Sequence, residues 1–163
     1  MNFGKTIYEK FKDPTCPNTD IVDRMKELSN KYTKRRLWNS KFEEETLWTL
    51  YALQEGVTSI APTVNRKRGN GSIRFIESFF NLKGNNINDD TFSRLNILSG
   101  NTNIEFDGKY SIQEKNNDQN IFKVMTFNNS GNIEDKPDQK FVRYVNEYFP
   151  GTIISAKILF NED

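Results

Sequence analysis

The residues point to an α+β fold, with a helical N-terminal half packed on a small, mostly antiparallel sheet formed by the C-terminal half. Three observations carry this. Apolar residues recur at helical spacing through the first part of the chain. Period-two alternation takes over in the second part. Asn and Gly turn signals crowd the middle, with Gly-Asn pairs at Gly69, Gly84, Gly100 and Gly131. The 163 residues fit a single domain, 1–163. Within it the expectation is an extended arm over 1–17, a mainly helical part over 18–98, and a β-rich part with one helix over 99–163.

Asn18, Thr19 and Asp20 offer caps, and Ile21, Met25, Leu28 and Tyr32 then fall on one helical stripe. Ser40 with Glu43 reads as a capping box, and Glu43, Glu44 and Glu45 complement the helix dipole. Phe42, Leu47, Leu50 and Tyr51 follow, with Gly56 as the stop. Val57–Val64 reads as extended, and Pro62 restricts it to an edge. Ser72 caps a third helix carrying Ile73, Ile76, Phe79 and Phe80, ended by Gly84. Asp89 or Asp90 caps a short helix through Leu98.

Asp107-Gly108 then signals a hairpin between Asn101–Phe106 and Lys109–Glu114. A three-residue loop pairs Phe106 with Tyr110 and Ile104 with Ile112, gathering the apolar groups on one face. Ile121–Phe127 reads as the next strand. Pro137 starts a helix bearing Phe141, Val145 and Tyr148. Pro150-Gly151 turns into Thr152–Phe160, where Ile154, Ala156, Ile158 and Phe160 share a face.

Composition narrows the chemistry. The 13 Phe, 6 Tyr and 2 Trp predict an aromatic core. A net charge of +1 requires any electrostatic partner to meet a local patch. Cys16 stands alone, which excludes an intramolecular disulfide and a cysteine zinc site. With no histidine, His-dependent triads, histidine bases and histidine metal sites are excluded too. No apolar run has the length of a signal peptide core or a membrane span, so a cytoplasmic location without a membrane partner is expected.

The foremost candidate site is the basic segment Arg66, Lys67, Arg68, Gly69, Asn70, Gly71, Ser72, Ile73 and Arg74. Four cations surround a Gly-rich turn that enters a helix, where free amides and the dipole favour an anion. The spacing matches neither a Walker loop nor a dinucleotide fingerprint. The plainer alternative is a solvated basic loop. A second cluster holds Lys31, Lys34, Arg35, Arg36 and Lys41 with Tyr32 and Trp38, the ingredients of a surface that stacks bases and pairs phosphates. Its alternative is an interhelical loop whose aromatics point inward.

A third candidate comprises Glu105, Asp107, Gln113 and Lys115. It resembles the PD-(D/E)XK nuclease pattern in a Gln-x-Lys form, without the leading proline. The resemblance implies Mg²⁺ held by Glu105 and Asp107, with Lys115 orienting water. The alternative is a solvent-facing hairpin in which Asp107 serves the turn.

The resulting expectation is a non-enzymatic binding protein, without a cofactor, that engages nucleic acid or a phosphate-bearing ligand. Its contacts are Arg66, Lys67, Arg68, Asn70, Gly71, Ser72 and Arg74, joined by Lys34, Arg35, Arg36 and Trp38. One alternative is a small phage- or mobile-element-type inhibitor that binds a host protein through an aromatic-rich patch. The other is a Mg²⁺-dependent nuclease using Glu105, Asp107 and Lys115. Binding is favoured over catalysis because histidine is missing. The residues leave open DNA, RNA, nucleotide or protein as the partner, and the oligomeric state.

Overall fold

A computed structural model describes residues 2–16, 20–33, 42–57, 69–83, 93–117 and 120–158. Its helices are α1 (Phe3–Phe11), α2 (Asp20–Thr33), α3 (Glu44–Ala52) and α4 (Gly71–Lys83). Its strands are β1 (Arg94–Phe106), β2 (Gln113–Asn117), β3 (Asn120–Val124) and β4 (Val142–Lys157). Helices come from the N-terminal half and small antiparallel sheets from the C-terminal half, an α+β fold.

The segment expected as an arm instead contains α1. Its N-cap is Asn2, whose side chain accepts from the Lys5 amide at 2.9 Å. Asn2 is only 2% exposed and also ties α1 to the rest of the fold. Its Nδ2 donates to the Ser99 carbonyl at 2.7 Å and the Thr102 hydroxyl at 3.3 Å. The Thr49 hydroxyl donates to its Oδ1 at 3.0 Å. A Cβ on Gly4 would lie 2.2 Å from the Thr49 nitrogen, so α1 crosses α3 at backbone contact. Beside that crossing the Tyr8 ring stacks on Trp48 with centroids 4.0 Å apart.

Helix α3 is the hub. Every residue from Thr46 to Ala52 is buried, as a helix packed on all sides requires. Glu43 is its N-cap but makes no side-chain cap bond, so the expected capping box fails at Glu43; Ser40 lies outside the described residues. The helix ends at Ala52, before Gly56, with Leu53 as C-cap. Helix α2 buries Val22, Met25, Leu28 and Ser29 against this assembly. Val57 is described, whereas the remainder of the expected Val57–Val64 strand lies outside the described residues.

Arg94–Leu98, expected as helix, opens β1; Asp89 and Asp90 lie outside the described residues. The hairpin at Asp107-Gly108 does not form either. Antiparallel β4 pairs with β1, placing Ile154 opposite Ile97, Ala156 opposite Leu95 and Val142 opposite Ile104. Burial explains the choice. Leu95, Ile97, Ile104 and Phe106 along β1 are all buried. A hairpin would have left Leu95 and Ile97 without partners, whereas β4 pairs with both. Phe106 and Tyr110 instead join Phe127 and Phe141 in an edge-to-face aromatic cluster.

The helix expected after Pro137 is also absent. Val142, Tyr144, Val145, Tyr148, Ile153 and Ile154 favour the extended chain, and β4 runs through them. Pro150-Gly151 is not a turn between elements but a bulge within β4, because Gly100 opposes Phe149 while Ser99 opposes Thr152. Proline is tolerated there because a missing N–H costs little on an edge strand. The strand expected at Ile121–Phe127 is β3, which ends at Val124 and pairs with β2. The Gln54 side chain clamps the next residue to α3. It accepts from the Met125 amide at 2.8 Å and donates to the Met125 carbonyl at 3.0 Å. Among the described residues no helix is long and apolar enough to cross a membrane.

Candidate functional site

The Asn70 carbonyl accepts the first helical bond of α4, from the Arg74 amide at 3.0 Å. The helix therefore starts at Gly71, and Ser72 sits in its first turn rather than at the cap. Just upstream, the Gly69 carbonyl accepts from the Gly56 amide at 3.1 Å, joining the exit of α3 to the entrance of α4. Asn70 is buried and Gly71 is exposed. Arg74 is exposed and has no ion-pair partner among the described residues. Arg66, Lys67 and Arg68 lie outside the described residues.

The same helix entrance borders a hollow of about 330 Å³. Gly71, Ser72 and Phe75 line it from α4, Ile97, Thr152 and Ile154 from the sheet, and Phe3 and Leu53 from the α1 and α3 side. Phe75 is 44% exposed and Ile154 49%. The Thr152 hydroxyl is already engaged with that of Ser99 at 2.8 Å, which leaves the wall predominantly apolar. Ile97 and Ile154 oppose each other in the ladder and so share a face. The first of them is buried and the second is half-exposed. Phe75 and Leu82 fall off the buried stripe of Ile73, Ile76 and Phe79, and both are exposed.

The second cluster divides. Lys34, Arg35, Arg36, Trp38 and Lys41 lie outside the described residues. Lys31 and Tyr32 dock the loop that follows β3. The Lys31 ammonium donates to the Glu134 carbonyl at 2.8 Å and pairs with Asp135 at 3.7 Å, while the Tyr32 hydroxyl donates to the same carbonyl at 2.8 Å. Hydrogen bonding to the Tyr32 phenol, with the nearby Asp135 charge, holds Lys31 above the usual lysine pKa. That cation is occupied.

The nuclease-like residues are not brought together as the pattern requires. Glu105 lies between two guanidinium groups, Arg94 at 3.4 Å and Arg143 at 3.6 Å, with its side chain 19% exposed. Asp107 accepts from the Lys109 amide at 2.8 Å and shapes the bend. Gln113 and Lys115 belong to β2, paired with Val124 and Phe122 of β3, whereas Glu105 belongs to β1, paired with β4. The acid and the Gln-x-Lys element thus occupy separate sheets. Among the described residues no three His, Cys, Asp or Glu side chains are grouped to hold a metal ion.

No protein-family model, curated protein or solved structure matches the chain.

Proposed function

We propose that the protein is a non-enzymatic binding protein that engages nucleic acid or another phosphate-bearing ligand at the entrance of α4. The observation that carries this reading is Arg74. It stands exposed in the first turn with no ion-pair partner among the described residues, whereas Lys5, Lys31, Lys109 and Lys123 each have one. The amides of a first helical turn lack intrahelical acceptors, and the dipole there favours negative charge. The sequence adds to this. No Asp or Glu occurs between Glu55 and Glu77, a stretch that contains Arg66, Lys67, Arg68 and Arg74. A local positive field follows even though the whole chain is nearly neutral. Binding at this place requires no cofactor.

The reading is tested by fluorescence anisotropy with a labelled oligonucleotide at low salt. A variant combining Arg66→Ala, Lys67→Ala, Arg68→Ala and Arg74→Ala is expected to lose most of the affinity of the parent. Equal binding by the two proteins would contradict the assignment.

A second reading, an inhibitor or adaptor that binds a host protein, draws on Tyr144, Tyr148 and Ile153, exposed on β4. Exposed aromatic and aliphatic side chains on an edge strand suit a protein interface. Capture from a host lysate separates the two. One stoichiometric protein without nucleic acid would favour this second reading.

A further inference from the structure

A second cleft, of about 360 Å³, lies between the start of α2, the exit of α3 and β3, and shares no lining residue with the hollow at α4. Ile21 lines it from α2 and Ile133 from the loop after β3. Phe122 and Val124, two residues apart, line it from one face of β3. Its charges are of both signs, Asp20 and Arg24 from α2 and Glu55 from the exit of α3. We propose that this cleft binds a small zwitterion, an α-amino acid with an apolar side chain. Its carboxylate meets Arg24 and Tyr51, its ammonium meets Glu55, and its side chain lies against Phe122 and Ile133.

Arg24 and Glu55 share the cleft, yet no ion pair joins them among the described residues. Asp20 approaches Arg24 only to 3.9 Å, with both side chains mostly exposed, so that pair holds the guanidinium weakly. The guanidinium also faces the phenol of Tyr51, which is 7% exposed. Burial pushes that phenol above the usual tyrosine pKa, so it stays a neutral donor beside Arg24. Guanidinium and phenol together suit a carboxylate. On the other side, one Glu55 oxygen accepts from the Lys123 amide at 2.5 Å, which fixes the carboxylate. The Lys123 ammonium is taken by Glu77, and Glu55 has no cation of its own among the described residues. A singly charged anion here would meet Glu55, and a singly charged cation would meet Arg24. A neutral molecule would strip water from both charges and return nothing. A ligand with one charge of each sign satisfies both, and the apolar lining selects its side chain.

The experiment is calorimetric titration of the full chain with leucine, methionine and phenylalanine, and with glycine, leucinamide and N-acetylleucine. Leucinamide keeps only the positive charge, N-acetylleucine only the negative one, and glycine has no side chain. At least one of the three apolar amino acids should bind, and glycine more weakly. For leucine, each singly charged analogue should bind roughly 10- to 150-fold more weakly. This comparison uses the unaltered protein and does not depend on any variant folding. Arg24→Gln and Glu55→Gln should each lower the affinity for the bound amino acid by a similar factor, with thermal unfolding confirming that both are folded. Arg24→Gln should leave leucinamide binding unchanged, and Glu55→Gln should leave N-acetylleucine binding unchanged. No binding of leucine, methionine or phenylalanine up to about 10 mM would overturn the proposal. So would a singly charged analogue that binds as tightly as leucine, or an amino-acid affinity unmoved by either substitution.

Discussion

Asn2 concentrates the cost of folding errors in one residue. Its amide caps α1 and is bonded to Ser99, Thr102 and Thr49 in a buried setting, beside a further contact between the Thr46 and Thr102 hydroxyls at 3.2 Å. Replacing it removes a cap and strands buried partners, so Asn2→Ala is expected to lower unfolding stability by about 2–4 kcal/mol in urea titrations. Trp48 gives the opposite expectation. Its indole N–H is buried without an acceptor among the described residues. Trp48→Phe keeps a ring against Tyr8 while removing that donor, and should change stability by less than about 1.5 kcal/mol.

Asp138 provides the acid-sensitive contact at this scale. The Lys109 ammonium, bonded at 2.9 Å, together with the Lys140 amide and the Tyr110 hydroxyl, holds its carboxyl below the usual aspartate pKa. A depressed carboxyl contributes stability above its unfolded pKa and loses it as pH falls through the folded one. Unfolding stability should therefore decline as pH drops below about 4, and Asp138→Asn should flatten that decline. An unchanged acid limb in the variant would show that other carboxylates govern it.

Among the elements, α2 and α4 were legible because their apolar stripes keep one period, and α3 because Glu44 and Glu45 mark a first turn ahead of Leu47, Leu50 and Tyr51. The two long strands were not, for local reasons. The buried alternation of β1 changes phase at Gly100, where the ladder register shifts and φ is +59. Counting by twos therefore fails across the strand. A Cβ at Gly100 would also lie 2.9 Å from that of Asn2. Gly100→Ala combines an unfavourable backbone with this contact and is expected to cost about 1–3 kcal/mol, read from the shift in denaturant midpoint. In β4, Pro137 and Pro150-Gly151 carry ordinary helix-start and turn signals. Pairing with β1 overrode both, leaving the first before the strand and the second inside a bulge. Helix α1 was missed although its signals are local: Asn2 caps the Lys5 amide, and buried Tyr8 and Phe11 recur at helical spacing.

At the scale of the whole molecule, several of the described cations are neutralised by the protein's own carboxylates. Arg94 and Arg143 neutralise Glu105, Lys31 meets Asp135, and Lys109 meets Asp138. The run of cations without acids that leads into α4 is visible in one dimension, and of its four members the structure describes Arg74. The hollow beside α4 is not visible there, because Phe3, Leu53, Ile97 and Ile154 meet only once β4 has crossed to β1. The pairing that displaced the expected hairpin is the same pairing that builds this wall. The nuclease-like pattern failed for that reason as well, its two halves having gone to different sheets.

The central claim is that Arg74, exposed in the first turn of α4, and the cations that precede it in the sequence meet a phosphate chain. The salt dependence of oligo-dT affinity tests it most directly. Four phosphate contacts predict a log–log slope of about −3, and Arg74→Ala should bring it closer to zero by about 0.7. No measurable affinity at the lowest salt, or a slope unmoved by Arg74→Ala, would contradict the claim.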